Sequence, residues 1–203
     1  MTQKTKLVLM SCCAPCSCGA IKQVLCGEIP GIDDFIVMFF NPNIYPNTEY
    51  QKRLKEQIKY CEKLGVKYVI GDYDHDAWRA HVAGLENEPE RGARCSKCFA
   101  YRFCFARDWA KKRGFNAIAS VFGVSKHKDQ SQVDMAAEQS CGEIKYLPIK
   151  WNENLRQQIN RESEFYRQNY CGCEFSQRYT FFCIFTNNSA LFCKISMFHW
   201  VFS

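Results

Sequence analysis

Three cysteine groups punctuate the chain: Cys12-Cys13-Ala14-Pro15-Cys16, Cys95-Ser96-Lys97-Cys98 and Cys171-Gly172-Cys173. Thiolates are both metal ligands and nucleophiles, so such groups can hold a metal or cycle between dithiol and disulfide. Cys12 and Cys13 are poorly placed to pair with each other. Adjacent Cα atoms lie about 3.8 Å apart across a trans peptide, whereas disulfides usually span about 4.4–6.8 Å. A polynuclear cluster accommodates the pair, because neighbouring thiolates can bond to different irons. Cys12, Cys13, Cys95 and Cys98 together supply the four thiolates of a [4Fe–4S] centre. One zinc held by four cysteines is the alternative, although structural zinc usually draws on two C-x-x-C-type knuckles and a vicinal pair is awkward there. A radical-SAM reading fails: Cys12 and Cys16 fit Cys-x3-Cys-x2-Cys, but position 19 is Gly.

Cys171 and Cys173 carry a different expectation. Residues two apart can reach disulfide geometry when the intervening residue permits a tight turn, as Gly172 does. So small a ring is strained and readily reduced, which suits a redox-active dithiol. Two further metal ligands are the alternative. Cys26, Cys61, Cys104 and Cys141 read as small buried hydrophobes on helices.

The elements that must position these groups alternate between strand-like and helix-like runs. This predicts an α/β fold: a doubly wound, mostly parallel, Rossmann-like sheet of about five strands with helices on both faces. The strands are Leu7–Met10, Phe35–Phe39, Lys67–Ile70, Ala117–Phe122 and Ile144–Ile149. The helices are Ala14–Cys26, one capped by Asn47 and closed by Gly65, Asp76–Val82, Cys98–Arg113, Gln130–Gln139 and Asn152–Arg167. Cys12 and Cys13 then fall at the C-terminal edge of the strands, where open parallel sheets bind ligands. The adjoining helix N-terminus favours thiolate over thiol there.

The chain has 203 residues, 14 of them cysteine, with 27 basic and 21 acidic side chains and a formal charge of +6. That length suits one domain, and the charge suits a phosphate-bearing partner. The first apolar run is too short for a signal peptide's central region, so the expected setting is the cytoplasm, with no membrane association. In that compartment thiols stay reduced, and metal binding or redox catalysis accounts for the cysteines.

The sequence resembles the cobalamin-independent epoxyqueuosine reductase family of tRNA queuosine synthesis. The segments that carry the resemblance are Ser11-Cys12-Cys13-Ala14-Pro15-Cys16-Ser17, Phe39-Phe40-Asn41-Pro42-Asn43-Ile44-Tyr45-Pro46, Glu86–Glu90 with Arg94–Cys98, Val124-Ser125-Lys126-His127-Lys128, and Tyr166–Ser176. The resemblance implies a two-electron reduction that removes the epoxide oxygen from epoxyqueuosine at the tRNA wobble position. It implies cluster ligation by Cys12, Cys13, Cys95 and Cys98, and a redox-active disulfide between Cys171 and Cys173. It also implies an external electron donor. Some members are thought to hold a further iron ligated partly by a carboxylate, whose place Cys16 takes here. His127 is a candidate proton donor for the leaving oxygen, or a phosphate contact between Lys126 and Lys128. Two rivals frame the expectation. One is a zinc-stabilised RNA-binding module without catalysis. The other is an ATP-dependent tRNA thiolation enzyme, which needs a Ser-Gly-Gly-type loop that Ser11-Cys12-Cys13-Ala14 does not provide.

The expected domain spans residues 1–178. After it, Tyr179–Ser203 holds six phenylalanines and a single charged residue, Lys194, and reads like sequence from a different frame.

Overall fold

The computed structural model describes residues 4–177, so the tail Tyr179–Ser203 lies outside the described residues. Five strands, β1 (Lys6–Ser11), β2 (Asp34–Phe39), β3 (Tyr68–Ile70), β4 (Ala117–Ser120) and β5 (Lys145–Tyr146), pair in parallel in the order β3-β2-β1-β4-β5. Successive side chains of a strand point to opposite faces, and β1 uses both. Leu7 and Leu9 join Val37, Ala14, Ile21 and Tyr60 in one buried cluster. Val8 and Met10 join Met38, Phe103, Ala106 and Val133 in the other. A strand buried on both faces has to be apolar throughout, which is why the β1 run is continuous instead of alternating.

Among the described residues six helices flank the sheet: α1 (Ala14–Leu25), α2 (Asn47–Lys63), α3 (His75–His81), α4 (Ala93–Arg113), α5 (Gln130–Ser140) and α6 (Glu153–Glu162). The doubly wound architecture expected from the sequence is the one observed. Several boundaries differ, for local reasons. The helix expected to begin at Cys98 begins at Ala93, after Arg91 takes a left-handed φ of 67° and Gly92 serves as N-cap. Asn47 is the first residue of α2 instead of its cap; Pro46 occupies the cap position, and no side chain caps the helix there. The last helix stops at Glu162, not Arg167, and the fifth strand keeps only two residues. Cys61 and Cys141 are buried as expected, but Cys26 is exposed and Cys104 half-buried.

Beyond α6 the chain returns as an irregular segment to the C-terminal edge of the sheet. Tyr166 donates to Glu49 Oε2 at 2.6 Å, Arg53 Nη1 donates to the Cys171 carbonyl at 3.0 Å, and Tyr45 N donates to the Gly172 carbonyl at 2.9 Å. Ile44 and Cys173 form an antiparallel bridge. These contacts bring the third cysteine group back to the sheet edge that carries the first.

Candidate active site

The chain leaves β1 toward β2 and β3, then returns to the other side of β1 for β4. The crevice between the C-terminal ends of β1 and β4 is therefore the topological switch point, where open α/β sheets bind ligands. Cys12 and Cys13 follow β1 directly. Cys13 is the N-cap of α1, and Pro15 lies in the first turn, where its missing N–H costs nothing. Because α1 starts so abruptly, Cys12, Cys13 and Cys16 converge, with all three Sγ atoms within 4.8 Å of one another. The Cys12 and Cys13 sulfurs are 3.9 Å apart.

These three thiols do not titrate alike. Hydrogen bonds from Cys13 and Cys16 hold Cys12 well below the ordinary thiol range; burial opposes this, and the charges of Lys128 and Arg102 reinforce it. The bond to Cys12 in turn pushes Cys13 up to about 12 and raises Cys16 well above its usual value. Gln168 Nε2 also donates to Cys13 Sγ, at 2.9 Å.

The second and third cysteine groups meet each other. Cys95 and Cys98 lie three residues apart in the first turns of α4 and so share a face. With Cys171 and Cys173 they line a cavity of about 20 Å³, together with Trp78, Arg94, Arg102, Asn43, Phe99 and Lys128. Burial, then the neighbouring Cys171 and Cys98, pushes Cys95 up to about 11; burial likewise raises Cys98 and Cys173. Cys171 and Cys173 are free thiols in this structure. Gly172, at φ +94°, has a conformation that suits glycine, and a Cβ there would come within 2.7 Å of Arg53 Nη1.

The Cys12 and Cys13 sulfurs thus converge with that of Cys16, Cys95 and Cys98 line the small cavity with Cys171 and Cys173, and Cys95 packs against the buried cluster that holds Cys12 and Cys13. Arg102 and Lys128 span the two groups. Arg102 is fully buried, donates to the Phe40 carbonyl at 3.0 Å and also to Asn41 Oδ1, and feels the charge of both Cys98 and Cys12. Burial alone would lower Lys128, yet Cys12, Cys171 and Cys16 raise it. Around the small cavity, Asn43 Oδ1, Arg94 Nε and Trp78 Nε1 (beside Cys98) have no well-formed hydrogen bond among the described residues.

A second, larger cavity of about 680 Å³ opens on Cys16. Its walls are the loop after β4, from Gly123 to Lys128, the exposed face of α6, and Arg167, Gln168 and Tyr170 from the returning segment. Lys126, Lys128, Arg156, Arg161 and Arg167 make the lining basic; its carboxylate, Glu153, is paired with Arg156. His127 Nδ1 faces Glu90 Oε2 at 3.4 Å, while its buried Nε2 has no hydrogen-bond partner among the described residues. Sequence reasoning singled out His127 and the cysteines but missed Lys128 as a buried residue, and it missed Glu90, Arg102 and Gln168. Glu90, Arg102 and Gln168 lie near the cysteine groups and Lys128 in the loop after β4, yet nothing in their spacing says which way they point.

Comparison with known proteins bears on this arrangement. The family described as epoxyqueuosine reductase QueH matches residues 7–179. The epoxyqueuosine reductase QueH of Histophilus somni is 39% identical over 182 residues, covering 86% of this chain and 73% of that protein. Its counterpart in Acinetobacter baylyi is 38% identical over 182 residues, covering 86% and 82%. Among solved structures, the U34-tRNA thiolase NcsA from Methanococcus maripaludis with its [4Fe-4S] cluster superposes with a TM-score of 0.55 at 15% identity. That match covers 86% of this chain and 62% of that one. A protein described as a predicted subunit of tRNA methyltransferase, from Methanocaldococcus jannaschii, gives 0.50 at 10% identity, over 78% and 75% of the two chains. At such identities these two likenesses concern the fold alone.

Proposed function

The chain belongs to the epoxyqueuosine reductase QueH family and is an oxidoreductase, and from that premise we propose that it reduces epoxyqueuosine to queuosine at the wobble position of tRNA. The epoxide oxygen leaves as water, both of its C–O bonds break, and an alkene remains; the change consumes two electrons and two protons. The observation that carries this reading is the junction at the switch point, where a basic cleft opens directly onto clustered thiols. A cationic cleft suits an RNA backbone, and paired thiols suit a two-electron reduction.

Cys12, Cys13, Cys95 and Cys98 are the proposed ligands of a [4Fe–4S] cluster, with Cys16 available to an additional iron. The chemistry of the donor set fits: buried thiols, with N–H groups of Trp78 and Arg94 beside them that lack other partners and could bond to sulfur. When bound, such a centre supplies electron transfer and a Lewis-acid position for an oxygen. Cys171 and Cys173 are the proposed redox pair. Oxidation of two thiols to a disulfide releases the two electrons and two protons that deoxygenation requires, and an external donor then restores the dithiol. His127, oriented through Nδ1 by Glu90, is the proposed relay that passes one of these two protons to the leaving oxygen through Nε2. Among the described residues no helix is long and apolar enough to cross a membrane. A reducing cytoplasm is the proposed setting.

A zinc-stabilised RNA-binding module is the second reading. One observation favours it: the 3.9 Å between the Cys12 and Cys13 sulfurs is close to the edge of a tetrahedron built on metal–sulfur bonds of about 2.3 Å. Purification without oxygen, metal and sulfide analysis, and mass spectrometry of nucleosides from treated epoxyqueuosine-containing tRNA separate the two. The reductase should be brown, carry about four irons or one more, and convert the nucleoside to queuosine. Stoichiometric zinc without acid-labile sulfide, and an unchanged nucleoside, would sink the proposal.

A further inference from the structure

Among the described residues, Lys128 is the one that lines both cavities, the large basic cleft and the small chamber of Cys95, Cys98, Cys171 and Cys173. It is only 8% exposed, and none of the ion pairs found among the described residues includes it. A buried ammonium without a carboxylate is costly, so packing alone does not account for it. Its surroundings are sulfur, cation and ring: Cys12, Cys16 and Cys171 lie near it, Arg102 shares its chamber, and its Nζ lies 5.9 Å from the centre of the Phe122 ring. The position is fixed by a turn, with Lys128 N donating to the Ser125 carbonyl at 3.0 Å, and Asp129, the next residue, is the N-cap of α5. Lys126, two residues earlier in the same turn, is exposed in the basic cleft. One loop therefore offers an outer cation to the solvent-filled cleft and an inner cation to the thiols.

We propose that Lys128 stabilises the oxygen that leaves the substrate: a base seated in the large cleft with its epoxide toward the thiols brings that oxygen to the wall Lys128 forms. The inference rests on the reductase reading above. As the first C–O bond breaks, negative charge gathers on oxygen, and a fixed ammonium donating a hydrogen bond there favours the transition state over the uncharged epoxide. Lys128 remains an ammonium throughout. The two electrons and the two protons that complete water come from the Cys171–Cys173 dithiol, which becomes a disulfide, so the balance is epoxide plus two thiols giving alkene, disulfide and water.

The test compares wild type, Lys128→Met and Lys128→Arg in single turnover of epoxyqueuosine-containing tRNA without oxygen, together with iron content and tRNA affinity. Lys128→Met should keep its iron and bind tRNA within about threefold of wild type, while the turnover rate falls by about 10²–10³. Lys128→Arg, which keeps the charge, should recover the rate to within about tenfold of wild type. A methionine variant that reacts at nearly the wild-type rate, loses its iron, or weakens in binding as much as in rate overturns the assignment. Should the methionine variant be insoluble, the arginine variant decides. Iron-loaded and within tenfold of wild type it supports the role; iron-loaded and more than a hundredfold slower it overturns it. Wild type that leaves the substrate untouched overturns the reductase reading and this inference with it, whereas failure of the variants alone touches only Lys128.

Discussion

Cys171 and Cys173 are separated from the other cysteines by function in the proposed scheme but not by space, since all four of Cys95, Cys98, Cys171 and Cys173 line one chamber. That closeness makes the serine variants informative. If the pair only cycles electrons, Cys171→Ser and Cys173→Ser should keep the visible absorbance and iron of the wild type, complete no more than a fraction of one turnover, and show two fewer oxidisable thiols on labelling. A colourless variant means the cysteine is a metal ligand, and the electron path then has to avoid it. The cysteines were legible in the sequence because few roles for reduced thiols explain such spacing. Their grouping was not. Cys16 joins Cys12 and Cys13 through the tight start of α1, and Lys128 became visible only when β4 and α4 were packed side by side. A buried lysine and an exposed one look alike in a sequence.

At the scale of elements, hydrophobic runs and glycines located the strands and helices, while some ends slipped where backbone turns or side chains outside the element decided them. The α4 start is the clearest case. Glu88 Oε2 accepts from Ala93 N at 2.9 Å and Gln132 Nε2 donates to the Gly92 carbonyl at 3.0 Å, so the first turn, with Cys95 in it, is held from two directions. Helix α5 was better predicted because its signal is local: Asp129 Oδ1 accepts from Gln132 N at 2.9 Å as a regular N-cap. Removing that cap tests whether the Lys128 loop depends on it. Asp129→Ala should cost about 1 kcal/mol in chemical denaturation. Its iron content should stay that of wild type, since Gln132 holds the Cys95 turn through its side-chain Nε2 and not through the backbone N–H that Asp129 caps. Loss of iron on this substitution would show that the β4–α5 loop holds the thiol sites together more directly than the contacts suggest.

At the scale of the whole molecule, two predictions concern the end of the sequence and the basic cleft. The family match ends at residue 179, which supports our proposal that the working domain closes near Arg178. A chain ending at Arg178 should fold, load iron and reduce substrate as the full chain does; an insoluble or inactive truncation would make Tyr179–Ser203 part of the enzyme. The cleft prediction follows from counterion release. Each phosphate neutralised by Lys or Arg frees condensed ions, so affinity falls with salt in proportion to the number of contacts. Lys126, Arg161 and Arg167 are the exposed cations of the lining, and none of the ion pairs found among the described residues includes them. Arg156 is held by Glu153 and contributes less. Replacing Lys126, Arg161 or Arg167 singly with Ala should weaken tRNA binding and lower the slope of log affinity against log salt by roughly 0.7 each, the single-strand value. Iron content and the single-turnover rate at saturating tRNA should stay near wild type. A slope that ignores all three substitutions places the RNA on some other face, and the cleft beside Cys16 then admits the modified base without gripping the strand that carries it.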